Sequence, residues 1–195
     1  PDGTGDWVER HCPGARVLRV TDDPGFCLPR ARNLGARATQ GDWIAFVDGD
    51  VQVAAGWGDW MRRHLRAGHF YRAGPIDGTR HPETWGTAIC ARRDWEAVGG
   101  YDELLKNYGM EDTELYVRLT DFGLADAFIS PAGFAAIAHS DEMRTRFFPT
   151  KSMRKLRLIA SFYQEYIKVF RRAVKVPQLA LEDREQIHAA ARSLV

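Results

Sequence analysis

A run of almost wholly apolar residues, Trp43-Ile44-Ala45-Phe46-Val47, stops abruptly at Asp48-Gly49-Asp50. An apolar run this short suits a strand covered on both faces, as in an α/β sheet. It is preceded by ARVLRV (15–20), an alternating β-branched run that reads as a strand, and by RARNLGARAT (30–39), which reads as a helix stopped at Gly41-Asp42. Strand, helix and strand in that order predict a βαβ unit with parallel pairing. In open sheets of this kind ligands bind beyond the carboxyl ends of the strands. Asp48 and Asp50 stand at such an end. Residues two apart on an extended chain project the same way, and Gly49 between them lets another group approach the backbone. Two hard oxygen donors here could hold a divalent cation and a sugar hydroxyl. An ordinary solvated Asp-Gly turn is the alternative. The spacing is not that of an EF-hand.

The rest of the chain fits this frame. Helices are predicted over 5–11, 57–67, from residue 93 or 94 to Gly99-Gly100, and over MEDTELYVRLTDFG (110–123). In the last of these Leu115, Leu119 and Phe122 make the apolar stripe and Gly123 the stop. HFYRAGPI (69–76) and TWGTAICARR (84–93) read as strands, and FISPAGFAAIAH (128–139) as a strand pair or an extended run to His139. From Lys151 to Lys175 apolar residues follow helical spacing, and the same window carries eight Lys and Arg residues against Glu165 as its one acid. Pro177 breaks that helix and a short polar helix ends the chain. With 195 residues, 45% of them hydrophobic, the chain can bury a real core. No apolar run approaches the roughly 18 residues that span a bilayer. A net charge of +1 names no partner, and nothing in the sequence suggests nucleic-acid binding. Cys12, Cys27 and Cys90 have neither CxxC nor metal-ligand spacing. They read as reduced, buried thiols of a reducing compartment, with a disulfide or a catalytic cysteine as the alternatives.

Four segments, in this order, carry a family resemblance: CLPRARNLGARATQGDWIAFVDGD (27–50), GTAICARRDWEAVGGYDE (86–103), YGMEDTELYVRL (108–119) and His139. Together they resemble the GT-A-fold glycosyltransferases of family 2, in particular the galactosyltransferase and chondroitin-polymerase branch. The likeness covers roughly residues 1–140. It implies a mixed, mostly parallel α/β sheet flanked by helices, with a catalytic domain over 1–148 and a C-terminal helical extension over 149–195. By the same resemblance Asp50 and His139 would hold the metal, Asp48 would touch the donor ribose or the metal's water shell, and Arg32 would lie near the donor nucleotide. Asp112 would be the catalytic base, with Glu111 beside it binding the acceptor sugar, and Trp85 and Gly86 would line the acceptor side.

Elementary chemistry agrees with these roles. Loss of a nucleoside diphosphate builds negative charge that a divalent cation offsets, and an oxygen and nitrogen donor set suits Mn²⁺ at least as well as Mg²⁺. A carboxylate can take the proton of an attacking hydroxyl. In the first turn of a helix the dipole is expected to lower the pKa of Asp112 and aim it at a cleft. Each residue also has a plainer reading: first-turn acids, a satisfied histidine, a core tryptophan, a solvated arginine, a helix stop at Gly99-Gly100.

The function implied is an inverting, metal-dependent hexosyltransferase. It would move sugar from a nucleotide-sugar, UDP being the nucleotide the resemblance favours, to a saccharide or glycolipid hydroxyl, as in polysaccharide biosynthesis. A retaining enzyme of the same fold and a non-catalytic sugar- or nucleotide-binding fragment are the alternatives. A nucleotidyltransferase is disfavoured by the lack of a Gly-rich basic opening loop. PDGTGDW (1–7) resembles the segment just after the family's second strand. That implies a strand-helix-strand of about 30 to 50 residues ahead of it, whose loss would expose apolar strand edges. The basic amphipathic stretch 151–175 has three readings: a helix packed on the domain, a dimer contact, or an interfacial helix on anionic lipid. The last would put a cytoplasmic enzyme at the inner face of a membrane.

Overall fold

The computed structural model describes residues 3–22, 25–75, 78–79, 82–106, 109–146, 148 and 150–195. Readings that touch residues 1–2, 23–24, 76 or 108 lie in part outside it. Its centre is a mixed four-stranded sheet in the order β1-β4-β3-β5, formed by β1 (Trp43–Phe46), β3 (His69–Ala73), β4 (Ala88–Ala91) and β5 (Ala125–Ile129). β4 runs antiparallel to both β1 and β3, and β3 pairs in parallel with β5. A separate two-stranded ladder joins β2 (Val51–Val53) to β6 (Phe134–Ala136). The 128–139 stretch therefore contains two strands, but they pair with different partners rather than with each other.

Alternation along the strands divides the core in two. Phe46, Phe70, Ala88 and Cys90 face one cluster, completed by Ala36, Trp95, Val98, Leu115, Tyr116 and Leu119 from α2 (Leu28–Ala38), α4 (Arg92–Ala97) with its following turn, and α5 (Glu111–Asp121). Tyr71, Ile89 and Ile129 face the other, where Trp57, Trp60 and Met61 of α3 (Trp57–His64) pack with Phe134. α1 (Thr4–His11) buries no residue and lies outside both. α5 is anchored by Arg118, whose guanidinium is fully buried, chelates Glu114 and donates to the Val98 carbonyl. A charge this deep is tolerated because its partners are built in. Of the predicted α5 stripe, Leu115 and Leu119 are core, but Phe122 is largely exposed and Tyr116 takes the third position. The helix ends one residue before Phe122, at Asp121, and Gly123 turns the chain away with φ 101°.

The predicted strand at 15–20 is not in the sheet. A strand needs a hydrogen-bonded neighbour, and Arg16 and Leu18 are separated from residues 44–47 of the β1 edge by a cavity of about 360 Å³. The expected parallel βαβ pairing is thus not formed, and among the described residues parallel pairing is confined to β3 and β5. α3 is shorter than predicted because Leu65 turns extended before Gly68, at φ 78°. A short helix not foreseen in the sequence, α6 (Asp141–Thr145), follows His139 and is capped by the Ser140 hydroxyl. Cys27 and Cys90 are buried thiols, as expected, while Cys12 is half-buried; none is in a disulfide. Burial pushes the Cys90 thiol up to about 12, which leaves it inert.

α7 (Met153–Val174) and α8 (Leu181–Ser193) close the chain as a helical pair. Tyr163, Ile167, Ala160 and Ala191 form a third apolar cluster with Leu105 of the central domain. No helix among the described residues is long and apolar enough to cross a membrane.

Candidate active site

A cleft of about 680 Å³ opens at the carboxyl end of β1, and its lining includes Arg32, Asp48, Asp50, Trp85, Gly86, Glu111, Asp112 and His139. All eight residues singled out in the sequence therefore share one cavity, whose size is that of a small-molecule site. The chain reaches it by local devices that can be followed one by one. β1 delivers Asp48 from its end, and the turn is closed by the Val51 amide donating to the Asp48 carbonyl at 3.0 Å. The β2–β6 ladder, extended by the Ile137 amide donating to the Asp50 carbonyl at 3.0 Å, then brings His139 alongside Asp50. Gly109 and Met110 both take left-handed backbone, φ 97° and 74°, and point the first turn of α5 into the cleft. Left-handed backbone in a non-glycine residue such as Met110 is costly and is most often kept where a site needs it.

Arg32 is the hub. Its guanidinium, almost fully buried, donates through Nη2 to Asp48 Oδ1 at 2.5 Å and through Nη1 to Asp112 Oδ1. The Tyr101 hydroxyl donates to the same Asp112 oxygen at 3.2 Å. Both donors use Oδ1, so Oδ2 of Asp112 carries no hydrogen bond within the described protein and faces the hollow above Gly86. Gly86 is required there by space: a Cβ would come within 2.5 Å of both Arg32 Nη2 and Asp48 Oδ2, and 3.3 Å from Asp112 Oδ2. Gly86 thus lies against the Arg32 hub as well as on the cleft wall.

The electrostatics differ from the simple expectation for Asp112. Burial raises its pKa, opposed by the charge of Arg32 and by the hydrogen bonds from Arg32 and Tyr101. Desolvation outweighs the helix-terminal dipole, which acts over one turn and is worth at most about 2 kcal/mol. Glu111 is pushed up to about 8, mainly by burial and then by the Asp112 charge, so near neutrality it carries a proton. Its Oε2 is buried with no hydrogen-bond partner. A protonated carboxyl aimed at a cleft can donate to a ligand oxygen.

Asp50 Oδ2 and His139 Nε2 lie 2.7 Å apart, each about 30% exposed at the side chain. Two adjacent ligands of an octahedral ion with bonds of about 2.1 Å are roughly 3.0 Å apart, so the pair fits one edge of such a site. Among the described residues there is no cluster of three or more His, Cys, Asp and Glu able to enclose an ion.

Trp85 is both lining and core. Its carbonyl accepts the Tyr116 hydroxyl at 2.7 Å, and its ring lies 4.3 Å beneath the Arg72 guanidinium. Tyr101, Glu83, Arg144, Arg157 and Ser161 also belong to the site or its rim, and the sequence did not single them out. Tyr101 was visible as part of GGYDE (99–103), where the pair of glycines pointed only to a helix stop. Arg157 and Ser161 come from α7, and no local pattern ties that helix to the cleft.

The model of the family described as Glycosyl transferase family 2 matches residues 1–99, and that described as N-terminal domain of galactosyltransferase matches residues 79–147. The chain belongs to glycosyl transferase family 2. Among solved structures, this family 2 chain resembles the mannosyltransferase PcManGT from Pyrobaculum calidifontis, in complex with GDP-Man and Mn²⁺, with a TM-score of 0.56 and 16% identity. That likeness covers 98% of this chain and 57% of the mannosyltransferase, so the chain spans little more than half its length. The catalytic domain of Drosophila beta1,4-galactosyltransferase 7, in complex with xylobiose, gives a TM-score of 0.53 at 18% identity over 84% of this chain and 69% of that one. At such identities the likeness carries the fold, which is GT-A. No curated protein matches the family 2 chain.

Proposed function

We propose that this chain is the catalytic portion of an inverting glycosyltransferase. It would transfer a hexose from a nucleoside-diphosphate sugar to a hydroxyl of a saccharide or lipid-linked acceptor. The observation that carries the reading is the Arg32 hub, which holds Asp48 and Asp112 in one cleft beside the Asp50–His139 pair. Asp50 and His139 would hold a divalent cation, Mn²⁺ or Mg²⁺, which when bound offsets the charge of the departing diphosphate. Asp48 binds the donor ribose or the water shell of the ion, and Arg32 keeps that carboxylate in place. UDP is the favoured nucleotide. The mannosyltransferase of the same fold was solved with GDP-Man, which keeps GDP as the competing choice.

The acceptor hydroxyl sits over Gly86, within reach of Asp112 Oδ2, with the Trp85 ring as a wall. Its oxygen bonds the anomeric carbon as the bond from that carbon to the diphosphate oxygen breaks with its electron pair. The hydroxyl proton goes to Oδ2, while Oδ1 stays bound to Arg32 and Tyr101. One displacement with a base in line inverts the configuration. Glu111, protonated, donates to a neighbouring acceptor oxygen. Residues 1–148 make the catalytic domain, and 149–195 the helical extension that walls the cleft through Arg157 and Ser161. The outer face of α7 leaves Leu158, Phe162, Val169 and Phe170 exposed between basic residues such as Arg154 and Lys175. This supports peripheral contact with an anionic membrane surface, suited to a lipid-linked acceptor.

The test is a screen of UDP- and GDP-sugars with Mn²⁺ for released nucleoside diphosphate, with the anomeric configuration of the product read by NMR. Asp112→Asn is expected to keep the fold and lose about 10²- to 10⁴-fold in rate, the usual worth of a general base. A retained anomeric configuration, or full activity in Asp112→Asn, would overturn the reading.

A further inference from the structure

The turn that follows α4 links the C-terminal helices to the carboxylate assigned above as the base. Tyr101 is buried, with its hydroxyl on Asp112 Oδ1 and its ring under the Arg32 guanidinium, 5.0 Å from the centroid. Its backbone is fixed by Asn33, the neighbour of Arg32 on α2. Asn33 Nδ2 donates to the Tyr101 carbonyl at 2.9 Å, and the Tyr101 amide donates to Asn33 Oδ1 at 2.8 Å. The preceding residue must be glycine. Gly100 has φ 69°, and a Cβ there would lie 2.7 Å from the Trp95 ring and 2.8 Å from Asn33 Oδ1.

The next residue, Asp102, is 0% exposed. Its carboxylate is bound entirely by the C-terminal helices and its own turn. The Tyr163 hydroxyl of α7 donates to Oδ2 at 2.5 Å, Arg184 Nη1 of α8 donates to Oδ1 at 2.5 Å, and the Leu104 amide adds a third bond to Oδ1 at 3.1 Å. Packing a helical pair onto a domain does not need this. An apolar residue would serve, and a buried ion pair with a tyrosine hydroxyl on it is an expensive way to gain stability. What the trio supplies is direction: a fixed carboxylate one residue from the side chain that holds the base.

We infer that Asp102, Tyr163 and Arg184 are positioning residues, a latch through which the C-terminal helices set the Tyr101 hydroxyl on Asp112 and so orient that carboxyl in the cleft. This rests on the reading of Asp112 as the base. It predicts that the extension tunes the reacting carboxyl from outside the cleft, whose lining includes no residue of the latch.

The test reads Asp112 directly and needs no sugar. The ¹³C carboxyl titration of Asp112 is followed in the whole chain labelled at aspartate, the resonance being assigned by its loss in Asp112→Asn. Arg32, Asp48, Glu111, Tyr101 and Tyr116 are the charged and titratable groups that face it. Tyr101→Phe removes a hydrogen bond that favours the anion, so the midpoint is expected to rise by about half a pH unit, a few-fold in proton affinity. Tyr163→Phe keeps the ring in its apolar cluster and removes only the latch hydroxyl. It is expected to move the Asp112 midpoint in the same direction, and to move it no further in a Tyr101→Phe background. Should Tyr163→Phe fail to fold, Arg184→Met is read in the same way. The inference is overturned if Tyr101→Phe alone moves the midpoint, if neither variant does, or if the two shifts add. An Asp112→Asn chain that still transfers sugar at full rate would remove the base assignment and leave this titration result intact.

Discussion

At the scale of single residues the cleft is a contest between burial and pairing. Arg32 is almost fully buried and stays charged because Asp48 and Asp112 flank it. Glu111 has no such partner at Oε2, and burial raises its pKa to about 8. The sign of the consequence follows from proton linkage. An acid whose folded pKa lies above its unfolded value binds more protons when folded. Its contribution is therefore favourable at low pH and is lost as pH rises from about 4.5 through about 8. Glu111→Gln removes that dependence. The variant is expected to match the parent near pH 4.5 and to exceed it above pH 8 by on the order of 5 kcal/mol. Urea unfolding at both pH values checks this, and a variant less stable than the parent at pH 8.5 would show that Glu111 is not held protonated. The acids of the first α5 turn were legible in the sequence as a pair, because two carboxylates opening an amphipathic helix are conspicuous. Their electrostatics were not legible, since burial dominates both and Asp112 is further set by Arg32 and Tyr101, which lie 80 and 11 residues before it.

At the scale of elements the site depends on a two-stranded ladder that the sequence hardly announces. β2 and β6 are three residues each, too short for a periodic signal, yet they bring Asp50 and His139 to 2.7 Å. Ile137→Pro deletes the amide that bonds the Asp50 carbonyl and leaves every cleft side chain in place, since Ile137 is not part of the cleft lining. Because Ile137 is exposed, the variant is expected to keep its fold and to lose about tenfold in Mn²⁺ affinity, the usual cost of disturbing groups that support a ligand. Unchanged affinity by calorimetry would mean the ladder is not what sets the pair. Other elements were readable for clear reasons. The 43–47 run has the apolar content of a strand, but β1 lies at the edge of the sheet and buries Ile44 and Phe46 on one face while Ala45 and Val47 are exposed, so the expected cover on both faces is not found; α2, α5 and α7 carry long 3.6-residue periods. The 15–20 run had the alternation of a strand, but alternation records burial tendency and not the presence of a partner, and β1 lies across a cavity from it.

At the scale of the whole molecule a GT-A sheet is joined to a helical pair, of which α7 is strongly basic; the pair packs on the sheet through Leu105, Tyr163 and Ile167 and reaches the cleft with Arg157 and Ser161. α7 presents an unpartnered stripe outward, with Val169 60% and Phe170 53% exposed. Co-sedimentation with vesicles rich in anionic lipid, compared with neutral vesicles, tests the proposed membrane contact. Binding to the anionic vesicles is expected to be weakened by salt and lost in Phe162→Glu/Val169→Glu. No binding to either vesicle, or a concentration-dependent dimer abolished by the same pair, would remove the membrane from the account. The central claim lies in the cleft itself, where Asp50 and His139 are to hold a cation that receives a nucleoside diphosphate. The most direct measurement is calorimetry of UDP and GDP binding with and without Mn²⁺, on the parent chain and on Asp50→Ala. The account predicts binding of one nucleotide that requires both the ion and Asp50. Binding equally strong without Mn²⁺, or unchanged in Asp50→Ala, would contradict it.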